Sequence, residues 1–293
     1  RWRWHALAAV IGMTLGCMPA GAVDAPPQRI VSLNLCTDQL LADLVPAERI
    51  AGLSFLAADP TLSADAQRLK RFRKLKGSAE EVLSVDPDLI IAGAYTTGAT
   101  VDLLRRLGKP VLVVPLASDF DGMRATVRAI AAAVGEPQRG EEVIAAFDRR
   151  LQAVRPTLAS RPTAIAYQVG SFVSGSGSLV DAALAAAGYR NMARNMRLGP
   201  GGRLPLEQLV GGPPDLIVLA NAADDFRTVL ADNLRHPALS DLLRRRPSVH
   251  LPMPYWMCAT PKIAEAVEIL AAKRMTAMAA APAIAPPDAK TLP

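Results

Sequence analysis

Glu80-Glu81-Val82-Leu83-Ser84-Val85-Asp86-Pro87-Asp88-Leu89-Ile90 has a counterpart in Glu207-Gln208-Leu209-Val210-Gly211-Gly212-Pro213-Pro214-Asp215-Leu216-Ile217. Each copy holds a glutamate, six further residues and then Pro-Asp-Leu-Ile. The likeness extends outward: residues 78–92 and 205–219 both run through a helical turn, a Pro-Asp break and an apolar strand, in that order. Folding alone accounts for Pro-Asp-Leu, because proline ends a helix and aspartate turns the chain before a buried strand. The glutamates are less easily absorbed. Ser78 and Glu81 are spaced as a capping box, which leaves Glu80 to project from the first helical turn, and Glu207 takes the matching place. The plainest role for such a carboxylate is to complement the helix dipole. The repeat as a whole implies two similar lobes.

Around the first copy the chain alternates strand and helix. Ile30-Val31-Ser32-Leu33 is a short β-branched run, Asn34 breaks it, and Leu40, Leu41 and Leu44 follow at helical spacing. Strands are expected at 49–53, 89–92 and 111–114, with a helical face at Leu103, Leu104 and Leu107 that stops at Gly108. Such alternation predicts a mainly parallel sheet. The segment 123–158 is different, rich in Ala, Arg and Glu, and broken at Gly135-Glu136-Pro137. It reads as two helices, the second from Gly140 to Leu158 and roughly 25 to 30 Å long at the standard rise, enough to bridge two lobes. The strand-loop-helix pattern then restarts at Ala164-Ile165-Ala166-Tyr167, passes Gly170 to Ser178 and enters 179–187. A strand near 249–251 and a helix opened by Thr260 and Pro261 finish the second lobe. The fold class expected is α/β: two lobes with mainly parallel sheets, at 29–138 and 161–279, joined by one long helix within 139–160, with a ligand cleft between them. The Ala- and Pro-rich stretch 280–293 is expected to be a disordered tail.

Bulk properties agree with two globular lobes. The chain has 293 residues, more than one core usually organises, and is 51% hydrophobic with 20% charged residues. The start, Arg1-Trp2-Arg3-Trp4-His5, is basic, and an apolar run to Met18 and the small residues Ala20-Gly21-Ala22 follow, the pattern of a secretory signal over 1–22. Leu15-Gly16-Cys17 also resembles a lipoprotein box, in which Cys17 would carry a lipid, although Thr14 stands where Leu is usual. The formal charge of +6 falls to +4 once Arg1 and Arg3 leave with the signal. That excess is small and dispersed, so nucleic acid is not the expected partner. After cleavage at Ala22 two cysteines remain, Cys36 and Cys258, in a compartment where disulfides form.

Taken in order, Arg29-Ile30-Val31-Ser32-Leu33, Gly77-Ser78-Ala79-Glu80-Glu81-Val82, Pro87-Asp88-Leu89-Ile90, Gly188-Tyr189-Arg190-Asn191, Leu206-Glu207-Gln208-Leu209 and His236-Pro237-Ala238-Leu239 resemble the cobalamin and iron-siderophore periplasmic binding proteins. The resemblance runs from Arg29 to Ala272. It implies two α/β lobes on one rigid helix with little hinge motion. It also implies a ligand held between the lobes, and delivery to the membrane subunits of an ABC importer. One exposed glutamate per lobe pairs with permease arginines in that family, a role the motif match carries to Glu80 and Glu207. A pseudo-symmetric pair of carboxylates suits a two-fold membrane dimer.

In parallel sheets, ligands meet the loops after the carboxyl ends of strands, which points to 34–38, Phe55, 95–97, 167–174 and 255–258. The expected ligand-binding residues are Asn34, Cys36, Thr37, Tyr95, Tyr167, Tyr255, Trp256 and Cys258. Their aromatic faces suit a bulky metal chelate, an iron-siderophore or a corrinoid. Phe55 and Phe172 are expected to pack in the core instead. Arg71 and Arg73, in the basic run 68–76, resemble the place where siderophore binders put a charge-pairing arginine, and would attract an anionic complex. Haem is an alternative ligand, but haem-binding relatives tend to have a tyrosine here, where this chain has Arg71-Phe72-Arg73. Cys36 and Cys258 are expected in loops of opposite lobes facing the cleft, where they either form a disulfide or, as free thiols, contact the ligand or its metal.

No cofactor and no bare-metal site is expected, since the chain past residue 22 keeps only His236 and His250, and His236 precedes Pro237 at a helix start. An enzyme is not expected either. A secreted hydrolase would have to use Cys36 or Ser176 with His250, yet Gly175-Ser176-Gly177-Ser178 is not a nucleophile elbow. A third reading is an envelope ligand sensor that kept the lobes and lost transport.

Overall fold

The computed structural model describes residues 25–156, 161–196, 198–221 and 228–280. In the first half the order is β1 (Ile30–Ser32), α1 (Leu35–Leu44), β2 (Ile50–Ser54), α2 (Ala66–Leu69), β3 (Lys74–Leu75), α3 (Ala79–Leu83), β4 (Leu89–Gly93), α4 (Gly98–Arg106), β5 (Val111–Val114) and α5 (Phe120–Ala133). All five strands are parallel, in the order β3-β2-β1-β4-β5. Helix α6 (Pro137–Ala153) follows. The second half holds β6 (Thr163–Tyr167), β7 (Phe172–Ser174), α7 (Leu179–Ala186), β8 (Arg190–Asn191), β9 (Gly201–Arg203), α8 (Leu206–Gly211), β10 (Leu216–Leu219), α9 (Asp232–Arg235), α10 (Pro237–Arg245), β11 (Ser248–His250) and α11 (Ile263–Ala280). Its sheet runs β11-β10-β6-β7-β9, with β8 beside β6. Strands β11, β10, β6 and β8 are parallel, while β7 is antiparallel to β6 and β9. Two mainly parallel α/β lobes are therefore present, as the alternating pattern predicts.

The two copies of the signature occupy equivalent places. Ile30 of β1 lies beside Leu89 of β4, and Ala164 of β6 lies beside Leu216 of β10. Glu80 and Glu207 are each the second residue of a short helix, α3 and α8, and both are exposed. Ser78 Oγ accepts the Glu81 N–H at 3.2 Å. Glu81 Oε2 returns to the Lys76 N–H at 2.8 Å, two residues before the usual reciprocal partner. In the second copy Pro205 stands at the cap and no side chain closes the turn.

The bridging helix is shorter than the expected span. Pro137 opens it because a proline lacks only an N–H that the first turn does not use. It ends at Ala153, since Pro156 disfavours helical geometry at Arg155 before it. Its 17 residues make about 25 Å. Ile144 and Phe147 of α6 are buried in one continuous core with Leu41 and Leu44 of α1 and Val267 and Leu270 of α11. That core also reaches Ile91 of the first sheet and Leu216 of the second. Phe120 packs edge-on against Phe147 at 5.2 Å. Arg150 of α6 grips Glu268 of α11 through two bonds of 2.7 and 2.8 Å. A shared core leaves the lobes little freedom to swing.

Among the described residues no helix is long and apolar enough to cross a membrane. The signal expected over 1–22, with Cys17, lies outside the described residues, as does the tail from residue 281 onward. Ala280, expected in that tail, is the last residue of α11.

Candidate ligand-binding cleft

Two cavities open where the carboxyl ends of the sheets meet. The larger, of about 550 Å³, lies between the lobes. Pro60, Thr61 and Leu62, from the connection after β2, form one wall. Gln168 and Val169 after β6, Ala220 and Asn221 after β10, His250 at the end of β11, and Pro252, Met253, Pro254 and Met257 beyond it form the other. The second, of about 330 Å³, lies on the first lobe and is lined by Asn34, Cys36 and Thr37 after β1, Leu56 after β2, Ala94 and Tyr95 after β4, and Pro115 and Leu116 after β5. Leu62 and Met257 line both, so the two cavities are adjacent chambers with a shared wall. No Asp, Glu, Lys or Arg lines either chamber, and His250 is the one histidine in their walls.

Local chemistry holds these loops still. Asn34 caps α1, its Oδ1 accepting the Cys36 N–H at 3.0 Å. A methyl group on Gly93 would come within 2.7 Å of the Asn34 side chain, so only glycine lets β4 end beside that cap. Thr37 is buried, donates to the Asn34 carbonyl at 2.9 Å and shares a 2.7 Å hydrogen bond with Ser32. Asp38 lies fully buried in α1 and accepts from both the N–H and the hydroxyl of Ser54 at the end of β2. Burial pushes its carboxyl up to about 7, against the opposing hydrogen bonds from Ser32 and Ser54. Across the cleft, Asn221 Oδ1 accepts the Val169 N–H at 3.4 Å, and Asn233 supports the same turn through the Gln168 carbonyl at 2.9 Å.

Cys36 and Cys258 are joined by a disulfide, S–S 2.11 Å and Cα–Cα 5.2 Å. Neither is a free thiol, so neither a thiol contact with the ligand nor a Cys36 nucleophile is part of this site. Cys36 stands in the first turn of α1 rather than in a loop, because the Asn34 cap starts the helix immediately after β1. The bridge ties α1 to the segment after β11 beneath the cleft, and Lys262 reaches from that side to Asp65 at 3.0 Å.

Of the residues expected to hold ligand, Asn34, Cys36, Thr37 and Tyr95 line the smaller chamber, and Tyr95 is 79% exposed at its mouth. Four others do not reach the cleft. Tyr167 is the last residue of β6, hemmed between Leu219 and Val173, fully buried, with its hydroxyl on Ser171 at 2.9 Å. Trp256 and Cys258 are buried, and Tyr255 is half-buried against the same core, because the turn after β11 folds back onto α11. Phe55 and Phe172, expected in the core, are 55% and 41% exposed: Phe55 follows Ser54, the buried end of β2, and Phe172 opens β7 one position before the buried Val173, on the other face of the strand.

The basic run serves its own lobe. Arg68 bridges Asp43 and Asp65, each at 2.7 Å, and Lys74 donates to the carbonyls of Leu69 and Phe72. Arg73 bonds Ser84 at 3.1 Å, and Arg71 stacks on Phe72 at 4.8 Å. None of them lines either chamber. His236 caps α10, its Nδ1 accepting the Ala238 N–H at 3.1 Å. Ser176 is exposed and is absent from the chamber that His250 lines. Pro60 to Leu62, Asn221, His250 and Met253 belong to the cleft although sequence reasoning passed over them. The strand-end rule that pointed to Tyr95 reaches Asn221 and His250 equally well, as Asn221 follows the end of β10 and His250 ends β11.

Residues 30–242 match the sequence profile of the periplasmic binding proteins. The chain belongs to that family. A cobalamin-binding protein of Halobacterium salinarum is 26% identical over 211 residues, which cover 69% of this chain; the chain spans 56% of that relative's length. Among solved structures, the periplasmic heme-binding protein RhuT from Roseiflexus sp. RS-1 in apo form superposes with a TM-score of 0.70 at 25% identity, over 85% of this chain and 98% of that one. The periplasmic vitamin B12 binding protein BtuF of Vibrio cholerae shares the fold, with a TM-score of 0.64 at 19% identity over 86% and 98% of the two chains. Family membership and the cleft agree on where a solute would sit, between lobes that the α6 core and the disulfide hold in fixed relation.

Proposed function

We propose that this protein captures a bulky metal chelate in the interlobe cleft and delivers it to the membrane subunits of an ABC importer. The observation that carries the reading is the cleft itself: two adjacent chambers at the strand carboxyl ends, with a largely apolar lining that holds no Asp, Glu, Lys or Arg. A largely apolar lining contributed by both lobes suits a broad ligand gripped from two sides. The lining favours a chelate with a neutral periphery, a corrinoid or a ferric hydroxamate, over a catecholate complex with several negative charges. Relatives named for cobalamin and for haem support the class. We place the protein in the periplasm, exported by residues 1–22 and stabilised there by a disulfide that an oxidising compartment preserves.

Haem is the second reading. Tyr95 on one lobe and His250, Met253 and Met257 on the other bring oxygen, nitrogen and sulfur donors to the chamber walls, and such groups can ligate haem iron. Titration of the purified protein with cyanocobalamin, haemin, a ferric trihydroxamate and a ferric tris-catecholate, followed by calorimetry, separates these readings. We expect cyanocobalamin or the trihydroxamate to bind at least about 100-fold more tightly than the tris-catecholate, a difference of about 2.7 kcal/mol. Binding of none of the four overturns the proposal, and preference for the tris-catecholate overturns its neutral-ligand part.

A further inference from the structure

The smaller chamber has more apolar wall than the rim of a chelate needs. Leu35, Leu40, Leu56, Leu62, Val114 and Leu116 enclose about 330 Å³ on the first lobe, with no charged residue among its lining. It is set off from the interlobe chamber at Leu62 and Met257, which touch both. Its mouth leaves Tyr95 79% and Leu116 58% exposed, an arrangement that costs free energy until something apolar covers it. Of the polar groups in its wall, Thr126 Oγ1 is buried without a hydrogen-bond partner among the described residues, and several others already serve the fold. Asn34 Oδ1 serves the α1 cap, Thr37 serves Asn34 and Ser32, and Cys36 is in the disulfide.

Resting on the reading that the cleft takes a metal chelate, we propose that this chamber is a subsite for an apolar arm of that chelate. The metal-bearing head occupies the interlobe chamber, and a hydrocarbon substituent passes between Leu62 and Met257 into the first lobe. The two chambers share Leu62 and Met257 as wall, which suits a single two-part ligand, and a mostly apolar lining without charged side chains suits a hydrocarbon as its inner part. The consequence is selectivity: chelates of one head group are ranked by what they carry as a side arm. Each methylene buried contributes about 0.8 kcal/mol at most, or roughly four-fold in affinity.

The test uses the full chain and iron(III) complexes of one linear trihydroxamate whose terminal amine carries an acetyl, hexanoyl or decanoyl group. We expect affinity to rise at least about 30-fold from acetyl to hexanoyl, well below the full hydrophobic increment for four methylenes. Leu116→Trp fills the mouth from an exposed position and so leaves the core alone. It is expected to abolish the chain-length gain while changing the acetyl complex less than about three-fold, since the head never touches Leu116. Equal affinity for all three complexes in the unmodified protein overturns the arm subsite and leaves the chelate reading standing. Survival of the full gain in Leu116→Trp overturns it too, because the arm then lies elsewhere. If none of the complexes binds, the chelate reading falls and the subsite falls with it.

Discussion

The carboxylate of Asp215 receives both the N–H and the hydroxyl of Thr163, at 2.7 and 2.8 Å, and so clips the start of β10 to the start of β6. Asp88 does the same in the first lobe, accepting the N–H groups of Gln28 and Arg29 at 2.6 and 2.9 Å beside the start of β1. In each lobe the aspartate N–H returns the favour, to the carbonyl of Arg29 or of Thr163, at 3.1 Å. The repeated Pro-Asp is thus a strand-register clamp. Asp215→Ala strands the partly buried donors of Thr163, a loss of about 1–3 kcal/mol, whereas Asp88→Ala frees N–H groups that water can reach and costs less, about 0.5–1.5 kcal/mol. Urea titration should show lower midpoints for both variants, with nearly additive losses in the pair because they sit in different lobes. Unchanged midpoints would reduce the clamp to a turn preference.

Asp38 makes stability depend on pH. Its carboxyl ionises near 7 in the folded protein but at the ordinary 3.8 in the unfolded chain. Between those values the folded state holds the extra proton, so stability is greatest below about 4 as far as this group is concerned and is lost as pH rises through about 7. Asp38→Asn keeps an acceptor for the Ser54 N–H and cannot ionise. It should match the parent at pH 4 and exceed it at pH 8, by an amount on the order of a few kcal/mol. Melting temperatures across that range decide it; parallel curves for the two proteins would mean that Asp38 is not buried as a neutral acid.

The lobes, their order and the bridging helix were legible because they rest on local patterns: a repeated signature, β-branched runs, and the break at Gly135-Glu136-Pro137. The cleft was legible only in part. Asn34, Thr37 and Tyr95 follow strands whose carboxyl ends a short run makes plain. Tyr167 fails because a strand's last residue has two faces, and nothing local says that Leu219 and Val173 will close over it. Trp256 fails because α11, which buries the turn that carries it, begins only afterwards. The basic run misleads for a third reason: a sequence displays cations, but Asp43, the partner of Arg68, lies 25 positions earlier on another helix. Partners distant in sequence decide whether a charge is free to meet a ligand.

The Cys36–Cys258 bridge closes a loop of 222 positions and crosses between lobes. On the chain-entropy account a loop of that length contributes at most about 5 kcal/mol. Reduction with dithiothreitol, or the paired Cys36→Ser and Cys258→Ser variant, should lower the unfolding midpoint substantially. It should also weaken ligand binding, since Cys36 lines the smaller chamber and starts the helix that frames it. A reduced protein with the midpoint and affinity of the oxidised one would show that the α6 core alone holds the lobes.

Glu80 and Glu207 remain the exposed members of the repeat once its aspartates are spent on strand register. No hydrogen-bonded partner holds either side chain among the described residues, and each sits in the first turn of a helix at an equivalent place on its lobe. The dipole alone would be served as well by any acid in that turn, and Glu81 already supplies one in α3. On the delivery to an importer proposed above, we propose that the equivalent placement serves two-fold related cationic sites on the permease. Replacing both with Ala should therefore leave chelate affinity within about two-fold, because neither residue lines the cleft, and should change the melting temperature little. Uptake by cells that carry the importer should fall by at least about ten-fold, with single variants intermediate, if each carboxylate contributes on the order of 1 kcal/mol to docking. Uptake equal to the parent's in the double variant would remove both glutamates from the docking surface and return them to the role of helix caps.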